Sequence, residues 1–123
     1  GVTLPRLFEI YRLPCHIDML DVDVQGSEYV LFSSEAMLEL LSRRVRRVHI
    51  GTHYGRHDFH GPHGNDRRAE VEALKGRFTR YNWSIVYTAE GHTYPGATRP
   101  TALGPVFFGD GVLSLLNTNV LMC

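Results

Sequence analysis

The sequence contains few of the residues that would place it among disulfide-rich or membrane proteins. Of its 123 residues only two are cysteines, Cys15 and Cys123. Two cysteines do not make a disulfide framework, so we expect a reducing compartment and favour the cytoplasm. No apolar run is long enough to span a bilayer, and no secretory signal is recognisable at the start. The chain opens on Gly1 with a helix start close behind, which indicates a piece of a longer protein.

Net charge is lacking as well. Lys and Arg number 13, and Asp and Glu also number 13. The chain therefore has no basic surface for nucleic acid and gives no reason to expect an acidic partner. The P-loop, the G-x-S-x-G nucleophile turn, the paired C-x-x-C and the H-E-x-x-H zinc motif do not occur in the sequence. Hydrophobic residues make up 43% of it, enough for one compact domain with a core.

The most informative stretch runs from residue 17 to residue 28. Its first part is short and mostly apolar, which predicts a central strand at about 17–24, covered on both faces. Asp21 and Asp23 interrupt that run. Side chains two residues apart point to the same side of a strand, and acids are rarely buried without partners. We therefore expect both carboxylates where the strand leaves the sheet.

A turn follows this strand. Gly26 allows the backbone to reverse sharply, and Ser27 can cap what comes next. Ligands of open α/β sheets bind beyond the carboxyl ends of the strands. This placement makes candidate site residues of Asp23, Gln25 and Glu28.

Predicted helices alternate with predicted strands along the rest of the chain. The sequence predicts a helix from Thr3 that Pro14 ends, a helical turn at 29–32 and a helix capped by Ser34. These are followed by a predicted strand at 45–50, a helix from Asn65 or Asp66 to about Tyr81, and a strand at 83–88. Residues 90–103 are predicted to form a long loop. Gly109-Asp110-Gly111 lies between the apolar runs 106–108 and 112–116, which predicts a hairpin or a bulge. Strands separated by helices favour an α/β, mostly parallel sheet, to which the closing hairpin adds one antiparallel strand.

Two clusters of basic side chains have a functional and a structural interpretation. Arg43, Arg44, Arg46 and Arg47 surround the end of the helix that Ser34 begins. They are interpreted as an anion site or, as we prefer, as a solvated helix end whose cations face the negative end of the dipole.

The histidines form the second cluster: His49, His53, His57, His60 and His63. With Asp58 among them they offer metal ligands, but the segment is Gly-rich and a polar surface loop is favoured for the last three. His53 differs because it ends a predicted strand beside the expected cleft, where an imidazole can act as a base near neutral pH.

The segment Asp21-Val22-Asp23-Val24-Gln25-Gly26-Ser27-Glu28 resembles the signature "hydrophobic–K–I–D–V–E–G–x–E" of FkbM-type methyltransferases, which depend on S-adenosylmethionine. Asp23, Gly26 and Glu28 match the signature, whereas Asp21 and Gln25 stand where the family commonly has Lys and Glu. Residues 2–18, 47–53 and 104–112 resemble the preceding helix, the fifth strand and the closing strand of that family. The resemblance covers most of the chain, but only the later part of the family's domain.

The resemblance implies a Rossmann-like methyltransferase fold of which residues 1–123 form a single, partial domain with the first cofactor-binding strands absent. It implies S-adenosylmethionine as cofactor and methylation of a hydroxyl on a small molecule, sugar or lipid. Asp23, Glu28 and His53 would be catalytic, and Asp23, Gln25 and Gly26 would bind the cofactor. No metal ligands are assigned, and whether a divalent metal is required stays open.

Two alternatives remain. Asp21-Val22-Asp23 is also a D-x-D pair of the kind with which glycosyltransferases hold a divalent cation and a sugar nucleotide. The other alternative is a non-catalytic half-domain, which would expose the edge of the central strand and a broad apolar face. Such a half-domain is expected to associate with itself or with a missing N-terminal half.

Overall fold

The computed structural model describes residues 1–24, 26–53, 68–89, 99–101, 104–106 and 110–119. The helices are α1 (Leu4–Ile10), α2 (Glu28–Leu31), α3 (Glu35–Arg44) and α4 (Arg68–Arg80). The strands are β1 (Ile17–Val22), β2 (Val45–His53), β3 (Trp83–Ala89), β4 (Arg99–Thr101), β5 (Gly104–Val106) and β6 (Asp110–Asn117). None of these helices is long and apolar enough to cross a membrane.

Local sequence signals account for where α1 and α3 begin, whereas Ser27, expected to cap the next helix, makes no side-chain capping hydrogen bond at the start of α2. Thr3 caps α1, since its Oγ1 accepts a hydrogen bond from the backbone N–H of Arg6, and Pro5 lies in the first turn, where a missing N–H costs nothing. Ser34 caps α3 in the same way through the N–H of Met37. The helix α1 ends at Ile10 rather than continuing to Pro14, because Arg12 adopts a left-handed conformation with φ 45°.

Four strands form the main sheet, in the order β1-β2-β6-β3. Strands β1 and β2 are parallel, and β6 is antiparallel to both of its neighbours, β2 and β3. It follows that β1, β2 and β3 run in one direction and β6 runs in the other. The α/β class and a mixed sheet with an antiparallel closing strand were predicted, and both are confirmed. The sheet was also expected to be mostly parallel, but only one of its three strand pairs is parallel, because β6 inserts between β2 and β3.

One face of this sheet carries the hydrophobic core. Residues directly opposite in neighbouring strands share a face, and the core face contains Val22, Val48, Ile50, Leu113 and Leu115, all buried. The helices pack on that face through Leu38 and Leu41 of α3 and through Val71, Leu74 and Phe78 of α4. The described chain is thus a two-layer α/β structure.

Three predictions about the strands are wrong. The strand β1 was expected to be central and covered on both faces, but in the described sheet it pairs only with β2, and Met19 is 55% exposed. The expected hairpin pairing is not seen among the described residues, in which β5 pairs with β4 while β6 inserts between β2 and β3. Residues 90–103 were expected to form a loop without strands, yet they contain β4.

The arginine cluster divides into separate roles. Arg44 donates from one guanidinium nitrogen to the carbonyl oxygens of Leu13 and Pro14, at 2.7 and 2.9 Å, and its guanidinium carbon lies 4.6 Å from the ring centre of Phe8. Arg44 therefore ties the end of α1 to the end of α3. Arg43 pairs with Glu39 on the surface of α3 at 3.8 Å. These contacts are those of a helix end and not of an assembled anion site.

Cys15, in the connection between α1 and β1, is disulfide-bonded. The sequence contains one other cysteine, Cys123, which lies outside the described residues. The low cysteine count did not predict this bond. That count therefore no longer argues for a reducing compartment.

Candidate functional site

The candidate site lies where β1 and β2 end side by side. Val22 is registered opposite Ile50, so the next residues along each strand, Asp23 and Gly51, come together beyond the last pair. A Cβ added to Gly51 would lie 3.4 Å from Oδ1 of Asp23 and 3.7 Å from its Cβ. The exposed Asp23 side chain therefore lies across the backbone of Gly51, at the edge of the sheet where ligands of α/β proteins bind.

The turn after Asp23 has an unusual backbone and a buried acid. Gly26 has φ 95°, a conformation that side chains disfavour and that glycine adopts freely. Its N–H donates a hydrogen bond of 2.9 Å to Oε2 of Glu28. Glu28, in the first turn of α2, is completely buried, at 0% exposure. The carboxylate of Glu28 thus fixes the turn from inside, whereas that of Asp23 faces solvent.

The remaining predicted site residues are described only in part. His53 ends β2, and its backbone is registered opposite Asp110 of β6. Gln25 lies outside the described residues, as do His57, His60 and His63. Asp21 is exposed two residues before Asp23 and is registered opposite His49. Of the predicted set, the structure brings Asp23, Gly26 and Glu28 together around one turn.

Gly51, which belongs to the site, and the neighbouring Thr52 were not predicted from the sequence. Gly51 underlies Asp23, and this proximity depends on the register between β1 and β2. Thr52 is 1% exposed, and its Oγ1 has no hydrogen-bond partner among the described residues, which is costly for a buried hydroxyl. The only sequence signal for either was the polar ending Gly51-Thr52-His53 of an apolar strand.

His49 lies on the face of the sheet away from the helices. Its Nδ1 and the Oγ of Ser114 share a hydrogen bond of 2.8 Å, a cross-strand pair between β2 and β6. Within the described part of the chain, no three His, Cys, Asp or Glu side chains are grouped so that they could hold a metal ion. The histidine cluster and the D-x-D pair consequently gain no support as a metal site from these residues.

Removing the Glu28 carboxylate is expected to destabilise the turn. Glu28→Ala leaves the N–H of Gly26 without this acceptor and opens a cavity, which should lower the free energy of unfolding by about 2–3 kcal/mol. Urea unfolding at equilibrium measures this change. Glu35→Ala is the matched control, since Glu35 is also an acid in the first turn of a helix but is exposed. Equal losses in the two variants would contradict the assigned role of Glu28.

Comparison with protein-family models, curated proteins and solved structures gives no significant match to this chain.

Proposed function

We propose that this chain is the C-terminal half of an S-adenosylmethionine-dependent methyltransferase that methylates a hydroxyl group of a small molecule, sugar or lipid. The proposal begins from the resemblance of residues 21–28 to the FkbM-type signature. Asp23 is the proposed catalytic carboxylate, and Gly26 shapes the turn that holds it. Glu28 acts as a positioning residue, since its buried carboxylate holds the turn and not the solvent-facing site.

The fold supports this proposal. A sheet in which β1, β2 and β3 run in one direction and β6 runs in the other agrees with the antiparallel closing strand that the resemblance implies. The signature begins in the last two residues of β1 and continues into the following turn. The segment compared with the family's fifth strand lies in β2, the parallel neighbour of β1. The two segments are adjacent, as the resemblance requires.

The observation that carries the proposal is the position of Asp23. Its carboxylate is exposed at the carboxyl end of β1 and lies over Gly51, whose missing side chain leaves that space open. A carboxylate held there can accept a hydrogen bond from a hydroxyl or an amine. A side chain on Gly51 would instead occupy the space beside Oδ1.

The residues fit one part of a cofactor and substrate site. The FkbM-type family that residues 21–28 resemble holds the methionine end of S-adenosylmethionine with a glycine-rich turn and its ribose with an acid. Neither feature has a counterpart in this chain. Asp23 and Gly26 would therefore line the side of the site that faces the methyl group and the acceptor. When bound, S-adenosylmethionine supplies a methyl group on a sulfonium ion.

Asp23 would contribute to the reaction in two ways. Its carboxylate would accept a hydrogen bond from the acceptor hydroxyl and thereby orient the oxygen, and orientation is a large part of catalysis in a displacement reaction. An oxygen of the same carboxylate would then take the hydroxyl proton as a general base. The hydrogen bond from Gly26 N–H to Glu28 holds the following turn fixed while this occurs.

Calorimetric titration with S-adenosylmethionine tests the proposal. We expect binding by a version of the chain extended upstream with the missing strands, and none by residues 1–123 alone. In the extended chain, Asp23→Asn should slow methyl transfer about 100-fold or more, as expected for loss of a general base.

Asp18→Asn is the matched control. Asp18 is an exposed acid on the same strand, it pairs with His16 at 3.0 Å, and its substitution should leave methyl transfer unchanged. If neither version of the chain binds S-adenosylmethionine, the proposed function is wrong. If residues 1–123 bind it alone, the site assignment is wrong.

A further inference from the structure

The face of the sheet opposite the helices is uncovered in the described structure. Two rows of directly opposed residues cross all four strands on this face. One row contains Met19, Arg47, Leu116 and Ser84, and the other contains Asp21, His49, Ser114 and Tyr87. Met19 and Tyr87 are 55% and 58% exposed. We call these eight residues the open face.

The open face is separate from the hydrophobic core. Every described strand residue of the core lies on the other face or at a strand end. A sheet in which two of the three strand pairs are antiparallel can leave one face to solvent. The open face mixes apolar side chains with Asp21 and Arg47, both exposed. It therefore presents exposed apolar area of the kind that the centre of an interface buries, together with one charge of each sign.

The two charges of the open face are not used within the described chain. Asp21 and Arg47 are diagonal neighbours on β1 and β2, and neither forms an ion pair with a described residue. Two other polar residues of the open face, His49 and Ser114, already form a hydrogen bond of 2.8 Å with each other. One acid and one base thus remain available for a partner.

We propose that the open face binds a second copy of this chain, with Asp21 of each copy paired to Arg47 of the other. A two-fold axis that lies between the faces, perpendicular to the line joining Asp21 and Arg47, exchanges the two positions and forms both ion pairs at once. An isologous contact joins the same patch of both copies, so a patch with one acid and one base can be complementary in charge to itself. No other partner is required to satisfy these charges.

Strand geometry makes this arrangement compatible with sheet packing. Asp21 and Arg47 are separated by one strand spacing of about 4.8 Å and by two residues of about 3.3 Å each along the strands. The line joining them is therefore inclined by about 36° to the strands, and the two-fold axis makes the strands of the two copies cross at about 70°. That angle is closer to the orthogonal class of sheet packing than to the aligned class.

The size of the open face predicts a weak dimer. Four strands and about six residues per strand give a face of about 20 by 20 Å, below the size of a standard stable interface, which buries roughly 800 Å² per partner. We expect a dissociation constant in the micromolar range. Association should therefore be visible only when the protein concentration is varied across that range.

Sedimentation equilibrium with charge-reversed variants tests the proposal on the full chain. Asp21→Arg and Arg47→Asp each place like charges opposite one another, twice per dimer, and should each weaken dimerisation about tenfold or more. The double variant carrying both substitutions restores opposite charges and should dimerise nearly as well as the unsubstituted chain. Asp18→Arg is the matched control, because Asp18 is exposed on β1 but points away from the open face.

A monomeric unsubstituted chain throughout the micromolar range would overturn the proposal. So would dimerisation that both single variants leave unchanged, or a double variant that dimerises no better than they do. Far-UV circular dichroism confirms that each variant is folded. The outcome does not depend on S-adenosylmethionine binding, so it is distinct from the test of the proposed function.

Discussion

Phe78→Ala is expected to lower the free energy of unfolding by about 3–5 kcal/mol. Phe78 lies in α4 and is completely buried. Its ring contacts Phe32 at a centroid distance of 5.2 Å and Trp83 at 5.4 Å, both edge to face. The substitution removes the buried ring and two aromatic contacts and leaves a cavity between α2, α4 and β3. Because small domains are stable by only about 5–15 kcal/mol, this is a large fraction of the total.

Urea unfolding at equilibrium measures this loss, with an unchanged dependence on urea as the sign that the folded structure is retained. Tyr11→Ala is the control, since Tyr11 is 68% exposed and its removal should change stability by no more than about 0.5 kcal/mol. Phe78→Leu should fall between the two, because it keeps part of the apolar volume but not the ring contacts. A loss below about 1 kcal/mol for Phe78→Ala would contradict this packing.

The position of Phe78 also shows what the sequence could predict about the fold. Val71, Leu74 and Phe78 recur at helical spacing, and all three are buried, because the period of an α-helix is encoded locally. The closing strand was predicted as an element but paired with the wrong neighbour. Its partners β2 and β3 are far from it in sequence, and the burial of Leu113 and Leu115, rather than the turn at 109–111, decides where β6 lies.

The candidate site likewise has one part that is local in sequence and one part that depends on strand pairing. Asp23, Gly26 and Glu28 are close in sequence, so their shared turn was predictable from one strand and one glycine. Gly51 reaches the site only through the register of β1 against β2, which no local sequence pattern predicts. The complete burial of Glu28 was not predicted either, because acids are rarely buried and the backbone N–H that this one accepts from lies within the turn itself.

Asn117→Ala is expected to destabilise the protein by about 2–4 kcal/mol, because it removes a helix cap supplied from a distant part of the chain. The side-chain Nδ2 of Asn117, at the end of β6, donates to the carbonyl oxygens of Ser42 and Val45 at 2.8 and 3.0 Å. These carbonyls belong to the last turn and the cap of α3. Asn117 is only 7% exposed, so water cannot fully replace the lost donor.

Asn117→Asp separates this capping role from simple packing, because it keeps the shape of the side chain but replaces the donor with a carboxylate. Two carbonyl oxygens facing that carboxylate favour its neutral form, so its pKa should be higher in the folded than in the unfolded chain. At low pH the carboxyl is protonated in both states and can still donate one hydrogen bond. As the pH rises above the unfolded pKa, the unfolded chain loses the proton first, and the variant becomes progressively less stable than the original protein until the folded pKa is passed. Urea unfolding from about pH 3 to pH 7 should therefore show a growing difference between the two proteins. A constant difference, or none at pH 7, would show that the amide donor of Asn117 does not hold the end of α3.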